Sequence, residues 1–451
     1  MKPTNIRIVE IEPSFSEVRF RTPLKFGAGA IDSITLFSAR VGVESTKGDF
    51  AQGLGAVLLS DLWAYPTPGS DLTHPQKDAA LRDLSLSACQ TYLSGREFVH
   101  PFRISMELKR KIAALAKKST RAHKLKNPIP VLAAQMCASA VDCALHDAFG
   151  KVHGIATYDA YSQEFMEDDL SVWLGPDFVG LYPGDFLKPH YEESLPVWHV
   201  VGGSDKLTQA EKTAADPQDG LPVSLDEWIA RDGVFCLKIK LRGADHDWDV
   251  ERTIAVDQVA REALAKLGER QVRLSVDSNE MCPGPDYVLE YLNRLRAKSP
   301  QTFEDLLYIE QPTERDLKAR KFNLGPVAAL KPVLADESVT DVERCELAFE
   351  LGWSGVALKT CKGHASALLY AAMCAKAGKV YSVQDLTNPG VALIHSAGLA
   401  ARLSPLFGVE YNARQFIPNA QPEIQAKLPA LFRVENGRIR TDTIPALGLG
   451  L

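Results

Sequence analysis

From residue 195 onward the sequence repeats one unit: a short run of β-branched and apolar residues, then a longer stretch with helical spacing. The short runs fall at 197–201, 234–241, 272–276, 307–309, 333–335, 355–358, 380–383 and 407–409. Helical patterns between them cover 250–267, 287–297, 342–351 and 365–377. Eight strands joined by helical crossovers can bury both faces of a parallel sheet by closing it into a (β/α) barrel, which places a TIM-type barrel at residues 195–420.

The first part of the chain has a different rhythm. Residues 6–21 read as a strand broken at Pro13-Ser14, and 34–44 as a second strand, together a hairpin-like sheet. The stretch 130–151 predicts a strong helix with a broad apolar face, preceded by Pro128 and Pro130 and closed by Gly150. Residues 1–155 therefore form an N-terminal α+β domain, completed by 421–451, where a strand-turn-strand pattern around Asn436-Gly437 points back toward the N-terminal sheet. Residues 156–194, rich in Pro, Gly, Tyr and acids, read as an inserted surface segment near the domain junction, placed to reshape a substrate mouth.

Composition excludes several classes. The chain has 451 residues, 45% of them hydrophobic, and a net charge of −6, which is no footprint for nucleic acid and disfavours an anionic membrane surface. The eight basic residues between 109 and 126 read as a solvated helix face. No apolar run reaches membrane-spanning length, the N-terminus lacks a secretory apolar core, and the eight cysteines form no C-x-x-C pair, so a reduced, cytoplasmic protein is expected. Gly53-Leu54-Gly55 lacks the strand-to-helix setting of a dinucleotide site.

In a barrel of this kind the chemistry sits at the C-terminal ends of the strands. Here the second strand ends in Lys238-Ile239-Lys240, the third in Asp277-Ser278-Asn279, the fourth in Glu310-Gln311-Pro312, the fifth in Asp336-Glu337-Ser338 and the sixth in Lys359. Three carboxylates converging near the axis need a cation, and a hard, oxygen-liganded ion such as Mg²⁺ suits them. Alternation sends Lys238 and Lys240 to the same side of their strand. A carboxylate chelated to such a metal has its α-proton acidified through the enediolate, and a lysine beside other cations can take that proton.

The pattern K-x-K, D-x-N, I-E-Q-P, A-D-E-S and L-K resembles the lysine-pair, muconate-lactonizing-enzyme-like branch of the mandelate racemase/muconate lactonizing enzyme family in the enolase superfamily, whose sites set a Lys or His base beside Mg²⁺. The stretch 140–154, with Asp142, His146-Asp147 and Gly150-Lys151, is similar to the family's capping-domain helix. The resemblance implies that Asp277, Glu310 and Asp336 hold Mg²⁺, with Mn²⁺ as substitute. It implies that Lys240 and Lys359 exchange the proton, and that Lys238 lowers the pKa of Lys240 and assists the substrate carboxylate. Glu410 resembles a further active-site acid, Asp385 and Asn279 are expected to contact substrate, and residues 21–31, with Lys25, match a mobile loop that closes over it. The 156–194 segment and the long gap from Lys240 to Asp277 depart from the pattern.

A lone acid at a strand end is usually a helix cap, but five strand ends carrying these residue types in this order are not explained by capping. Glu337 reads as a supporting group, His199 as a packed histidine, and Cys361 as a buried thiol. The expected activity is α-proton abstraction from a small carboxylate by an isomerase (racemase, epimerase or cycloisomerase). A lyase dehydrating an acid sugar and a catalytically silent binding barrel are the alternatives. The family's habit of symmetric assembly implies a homo-oligomer.

Overall fold

A computed structural model describes the chain apart from residues 27–28, 69–71 and 269–270; of residues 24–26 and 29–30 only the backbone is described. Strands β1 (Ile6–Phe26), β2 (Gly29–Ser45) and β3 (Phe50–Leu58) form an antiparallel sheet in that order. The break expected at Pro13 does not occur: Pro13 pairs with Ala39 inside a continuous strand, and the register shifts lie at Ile8/Glu10 and Arg19/Leu24. β1 is an edge strand, a position in a sheet where a missing N–H is tolerated.

The helix Val131–His153 lies against this sheet. Gly53 and Gly55 on β3 make the approach possible, because a Cβ at Gly55 would stand 1.9 Å from the carbonyl oxygen of Ala140 and one at Gly53 2.1 Å from that of Ala144. These glycines thus serve helix-on-sheet packing. The helix does not stop at Gly150. It runs on to a left-handed C-cap at Gly154 (φ 67°), as a helix ending on glycine commonly does. Gly150 is instead a point of close approach, where a Cβ would lie 2.7 Å from Cα of Gly448 in the C-terminal tail.

The eight expected barrel strands are all present: β4 (Ser194–Val201), β5 (Cys236–Lys240), β6 (Arg273–Asp277), β7 (Leu306–Glu310), β8 (Val333–Ala335), β9 (Gly355–Lys359), β10 (Val380–Gln384) and β11 (Val409–Glu410). Each pairs parallel with the next, and β11 closes on β4 through Val409↔Val197 and Glu410↔Trp198. The outer helices include Leu225–Asp232, His246–Ala265, Pro285–Lys298, Val342–Glu350, His364–Lys376 and Gly390–Arg402. The tail strand β12 (Arg438–Arg440) adds antiparallel to β4, not to the N-terminal sheet; the tail then returns to the helix Val131–His153, where Leu449 N donates to Asp147 Oδ1.

Inside the barrel, Trp198, Cys236, Tyr308 and Leu334 form a buried apolar layer. Two residues further along the same strands stand Val200, Lys238, Glu310 and Asp336. Strand periodicity therefore sends these groups to the same side as the apolar layer, one storey nearer the C-terminal mouth.

Residues 156–194 form short helical turns, and they are not a surface insertion. Tyr158, Tyr161, Met166, Leu170 and Phe178 are buried in the main core, and Lys188 N and Glu192 N donate to the carbonyls of Arg402 and Ala401. None of the residues around the pocket described below comes from this segment, so it clamps the junction and does not shape the mouth. His146 sits there fully buried, hydrogen-bonded through Nδ1 to the Tyr161 hydroxyl at 2.7 Å and through Nε2 to Ser105 Oγ at 3.2 Å. Among the described residues no helix is long and apolar enough to cross a membrane.

Burial lowers the pKa of His146 from 6.5 to about 3. The unfolded chain therefore takes up this proton first as pH falls. Stability conferred by the neutral ring is complete above pH 6.5 and is lost progressively down to about pH 3. Urea denaturation is expected to show a loss of about 2–3 kcal/mol from this residue by about pH 4.5. His146→Gln should flatten the acid limb, whereas an unchanged slope would place the acid sensitivity elsewhere.

Candidate active site

The strand-end residues come together at the mouth. Asp277, Glu310 and Asp336 are each at most 1% exposed, and Lys238 and Lys359 are 3% and 5% exposed. The Lys238 ammonium stands among three acids: 2.8 Å from Glu310, 3.1 Å from Asp277, and in close contact with Glu410. Lys240 Nζ donates to Asp277 Oδ2 at 2.6 Å and to Asn279 Oδ1 at 3.0 Å. On the opposite side Lys359 pairs with Asp336 Oδ2 at 2.8 Å.

These charges shape one another's protonation. Burial works against the Asp277 carboxylate, but Lys240 and Lys238 outweigh it and hold the pKa at about 2. Asp336 is likewise held below the ordinary range, because Lys359 and Lys362 outweigh its burial. Glu310 goes the other way: burial, with Asp277 and Glu410 adding negative charge, exceeds the help of Lys238 and pushes it to about 7. Lys359 is raised, since the attraction of Asp336 overcomes desolvation.

Glu310 and Asp336 are placed by a staple that connects their two motifs. The Gln311 side-chain carbonyl accepts from Asp336 N (2.8 Å) and Ser338 N (3.2 Å), while its amide donates to Ser338 Oγ (2.6 Å) and Thr313 O (2.9 Å). Gln311 carries φ 28°, so this loop turns sharply just where it leaves the strand. The Q of one motif and the S of the next are thus parts of one device.

Asn279 is a partner of Lys240, and its own N–H donates to Asp277 Oδ1 at 2.8 Å. Asp385 lines the pocket, but its oxygens accept from Thr387 N, Asn412 N and Asn412 Nδ2, so it positions the loop after β11. Glu410 contacts Lys238. The Lys25 side chain lies outside the described residues, as do residues 27–28 of the expected mobile loop. His199 faces away from the mouth, between Arg414 Nη2 and Gln415 Nε2. Cys361 is buried and its thiol is pushed up to about 12 by desolvation, which leaves it unreactive.

Three groups were not anticipated. Lys362 reaches Asp336 Oδ1 at 2.8 Å from the 3₁₀ turn Thr360–Lys362, so it shares that carboxylate with Lys359. Gln384 Nε2 donates to Glu310 Oε2, and strand parity with Ser382 would have found it. Trp63 comes from the capping side. Its ring lies 5.1 Å from the Lys359 ammonium and 6.0 Å from that of Lys362, and its carbonyl accepts from Arg315 Nη2, whose guanidinium is clamped by Glu280.

Among the described residues no three acid, histidine or cysteine side chains stand together as a metal cluster. Asp277 and Glu310 share one ammonium, while Asp336 faces a separate lysine pair. The donor chemistry nevertheless suits a hard cation: the three acids offer buried carboxylate oxygens, and beside them both carboxylate oxygens of Glu337 are buried without a hydrogen-bond partner.

Residues 222–451 match the family model described as enolase C-terminal domain-like. A search of curated proteins found no match. Among solved structures, the chain is similar to a dipeptide epimerase from Enterococcus faecalis V583 complexed with Mg and the dipeptide L-Leu-L-Tyr, at 18% identity and TM-score 0.61, covering 98% of this chain and 99% of that one. It is similar to a muconate lactonizing enzyme from Pseudomonas fluorescens complexed with muconolactone, at 17% identity and TM-score 0.57, covering 99% and 96%. A substrate-liganded L-Ala-D/L-Glu epimerase from Bacillus subtilis gives 16% identity and TM-score 0.60, covering 98% of both chains. At these identities the likeness is one of fold.

A pocket lies between the barrel mouth and the N-terminal sheet, roofed by Phe20, Pro23, Ile31 and Ile34 of the β1–β2 hairpin. The hairpin is fastened to the loop after β4: Arg21 Nε and Nη2 donate to Asp219 at 2.5 and 2.8 Å, and Nη2 also to Leu221 O at 3.1 Å. The Arg21 side chain is 8% exposed in this bidentate clasp. Asp219→Asn should loosen it. Limited trypsin digestion followed by mass spectrometry is expected to show cleavage after Arg21 several-fold faster than in the unmodified chain; equal rates would mean the clasp does not hold the hairpin.

Proposed function

The chain belongs to the mandelate racemase/muconate lactonizing enzyme family of the enolase superfamily, and from that premise we propose that it is an isomerase which removes and returns the α-proton of a small carboxylate. The observation that carries this reading is the placement of two amines. Lys240 ends β5 and Lys359 ends β9, four strands apart in a closed ring of eight, so they face each other across the mouth. A carbon held between them presents one face to each. One lysine as amine can take the proton from one face while the other, as ammonium, delivers a proton to the opposite face. Dehydration on a single face needs only one such group, so the opposed pair favours the isomerase over the lyase.

The neighbours suit these roles. Lys240 and Lys359 rest on different acids, Asp277 and Asp336, so each can change charge without the other losing its partner. Lys238, held among Asp277, Glu310 and Glu410, keeps a fixed positive charge under the site and supports an incoming carboxylate. The Trp63 ring covers Lys359 and keeps water from it. Asp277, Glu310 and Asp336 would hold Mg²⁺, or Mn²⁺ in its place, which when bound supplies positive charge against the negative charge that develops on the substrate carboxylate. Similar structures complexed with Mg support that assignment. Eight buried free cysteines accord with a reducing, cytoplasmic setting.

The test is deuterium wash-in, with small carboxylates incubated with the protein and Mg²⁺ in D₂O and the α-proton followed by NMR. Exchange is expected, and it should stop when EDTA removes the metal. Lys359→Ala should lower turnover by about 10²–10⁴-fold while Mg²⁺ affinity, measured by calorimetry, stays nearly unchanged. Full turnover in that variant would overturn the two-lysine reading.

A further inference from the structure

The pocket has a charged floor and an apolar wall, and the wall limits what the substrate can carry beyond its reacting carboxylate. Resting on the reading above, we propose that the substrate class is a monocarboxylate bearing a bulky apolar group at or next to the α-carbon, with no second charge.

The floor consists of strand-end residues. The wall is built mainly by Phe20, Ile34, Leu58, Leu62, Trp63 and Phe416. Among the described residues lining the pocket there is no arginine, and no lysine besides Lys238, Lys240 and Lys359. These three are engaged with the acids of the floor. A second carboxylate on the substrate would meet aromatic and aliphatic carbon, where an unpaired charge is costly.

Asn412, Asp385 and Asp205, three of the polar residues around the pocket, are already committed. Asn412 accepts from Val200 N through Oδ1 and donates to Asp385 through Nδ2. The Asp385 oxygens take three N–H donors, and Asp205 Oδ2 accepts from Gly202 N. A free ammonium on the substrate would find the Asp385 and Asp205 carboxylates already engaged. Apolar surface, by contrast, is favoured in such a pocket in proportion to the area removed from water. The wall also comes largely from the N-terminal domain and its hairpin, so this preference is separate from the proton-transfer machinery beneath it.

The experiment compares four probes with the full chain and Mg²⁺ in D₂O: 2-phenylbutanoate, 2-methylsuccinate, gluconate and the dipeptide L-Leu-L-Tyr. α-Exchange is followed by NMR and binding by calorimetry. The expected result is exchange at least about tenfold faster for 2-phenylbutanoate than for the other three, with Leu62→Ala lowering its kcat/KM by about tenfold, chiefly through KM. Exchange confined to the dicarboxylate, the sugar acid or the dipeptide would overturn the proposed substrate class and leave the proton-abstraction reading standing. Binding of 2-phenylbutanoate without exchange of any probe would support the apolar wall and overturn the reaction. Neither binding nor exchange of 2-phenylbutanoate would overturn the substrate class.

Discussion

In a closed barrel the alternation of side chains along each strand leaves no choice about where a residue points. Once Trp198, Cys236, Tyr308 and Leu334 fill the interior, the residues two places on along those strands are committed to the same interior, one layer higher. In this chain they include Lys238, Glu310 and Asp336, and the neighbouring strands add Asp277 and Lys359. Five nearly inaccessible charged groups therefore stand on a dry floor. Isolated charges there would be prohibitive, and the arrangement persists because every acid has an ammonium within reach. Such a cluster adds little to stability compared with an apolar core of the same size. That fact argues against a silent barrel, since a scaffold has no reason to keep a costly set of opposed lysines and acids.

The N-terminal domain enters the site with very different chemistry. It contributes carbon: the hairpin residues, Leu58, Leu62 and the Trp63 ring. Trp63 couples the two parts, its face toward Lys359 and Lys362 and its carbonyl held by Arg315, which Glu280 clamps in turn. A cation over an aromatic face is favoured most where water is excluded, so seating the cap on the barrel and stabilising the lysine charge are the same event. The junction segment 156–194 supports this from behind, through Tyr161 on His146 and through the backbone bonds to Ala401 and Arg402.

Much of this was legible in the residue order, and what was not has physical causes. Strand periodicity and end-residue type located all eight barrel strands, because buried parallel strands read as short apolar runs whatever surrounds them. The same rule, carried one strand further, would have selected Gln384 as the inward group of β10 ahead of Asp385, which is spent on the Asn412 loop. Lys362 escaped because its position depends on a 3₁₀ turn, a local winding that composition does not signal. Pro13 misled because proline's effect depends on whether a strand is central or at an edge, a property of the sheet and not of the segment. The 156–194 segment looked superficial because its Tyr, Pro and Gly content resembles loops; its burial comes from tertiary partners far away in sequence.

A division of labour follows from how the pocket is assembled. The groups that would move a proton are fixed by eight strands whose register cannot slip without turning the whole charged layer outward. The groups that would choose a substrate sit on the hairpin, on β3 and on the turn Asp61–Ala64, where a substitution changes wall shape without touching the lysines or their acids. Changes in the wall should alter which carboxylate is accepted, and changes in the floor should alter whether any is processed. This separation is a property of the fold's construction, so it limits what fold similarity can convey: relatives sharing the barrel need share only the floor, and the apolar wall of this chain has to be read from its own residues.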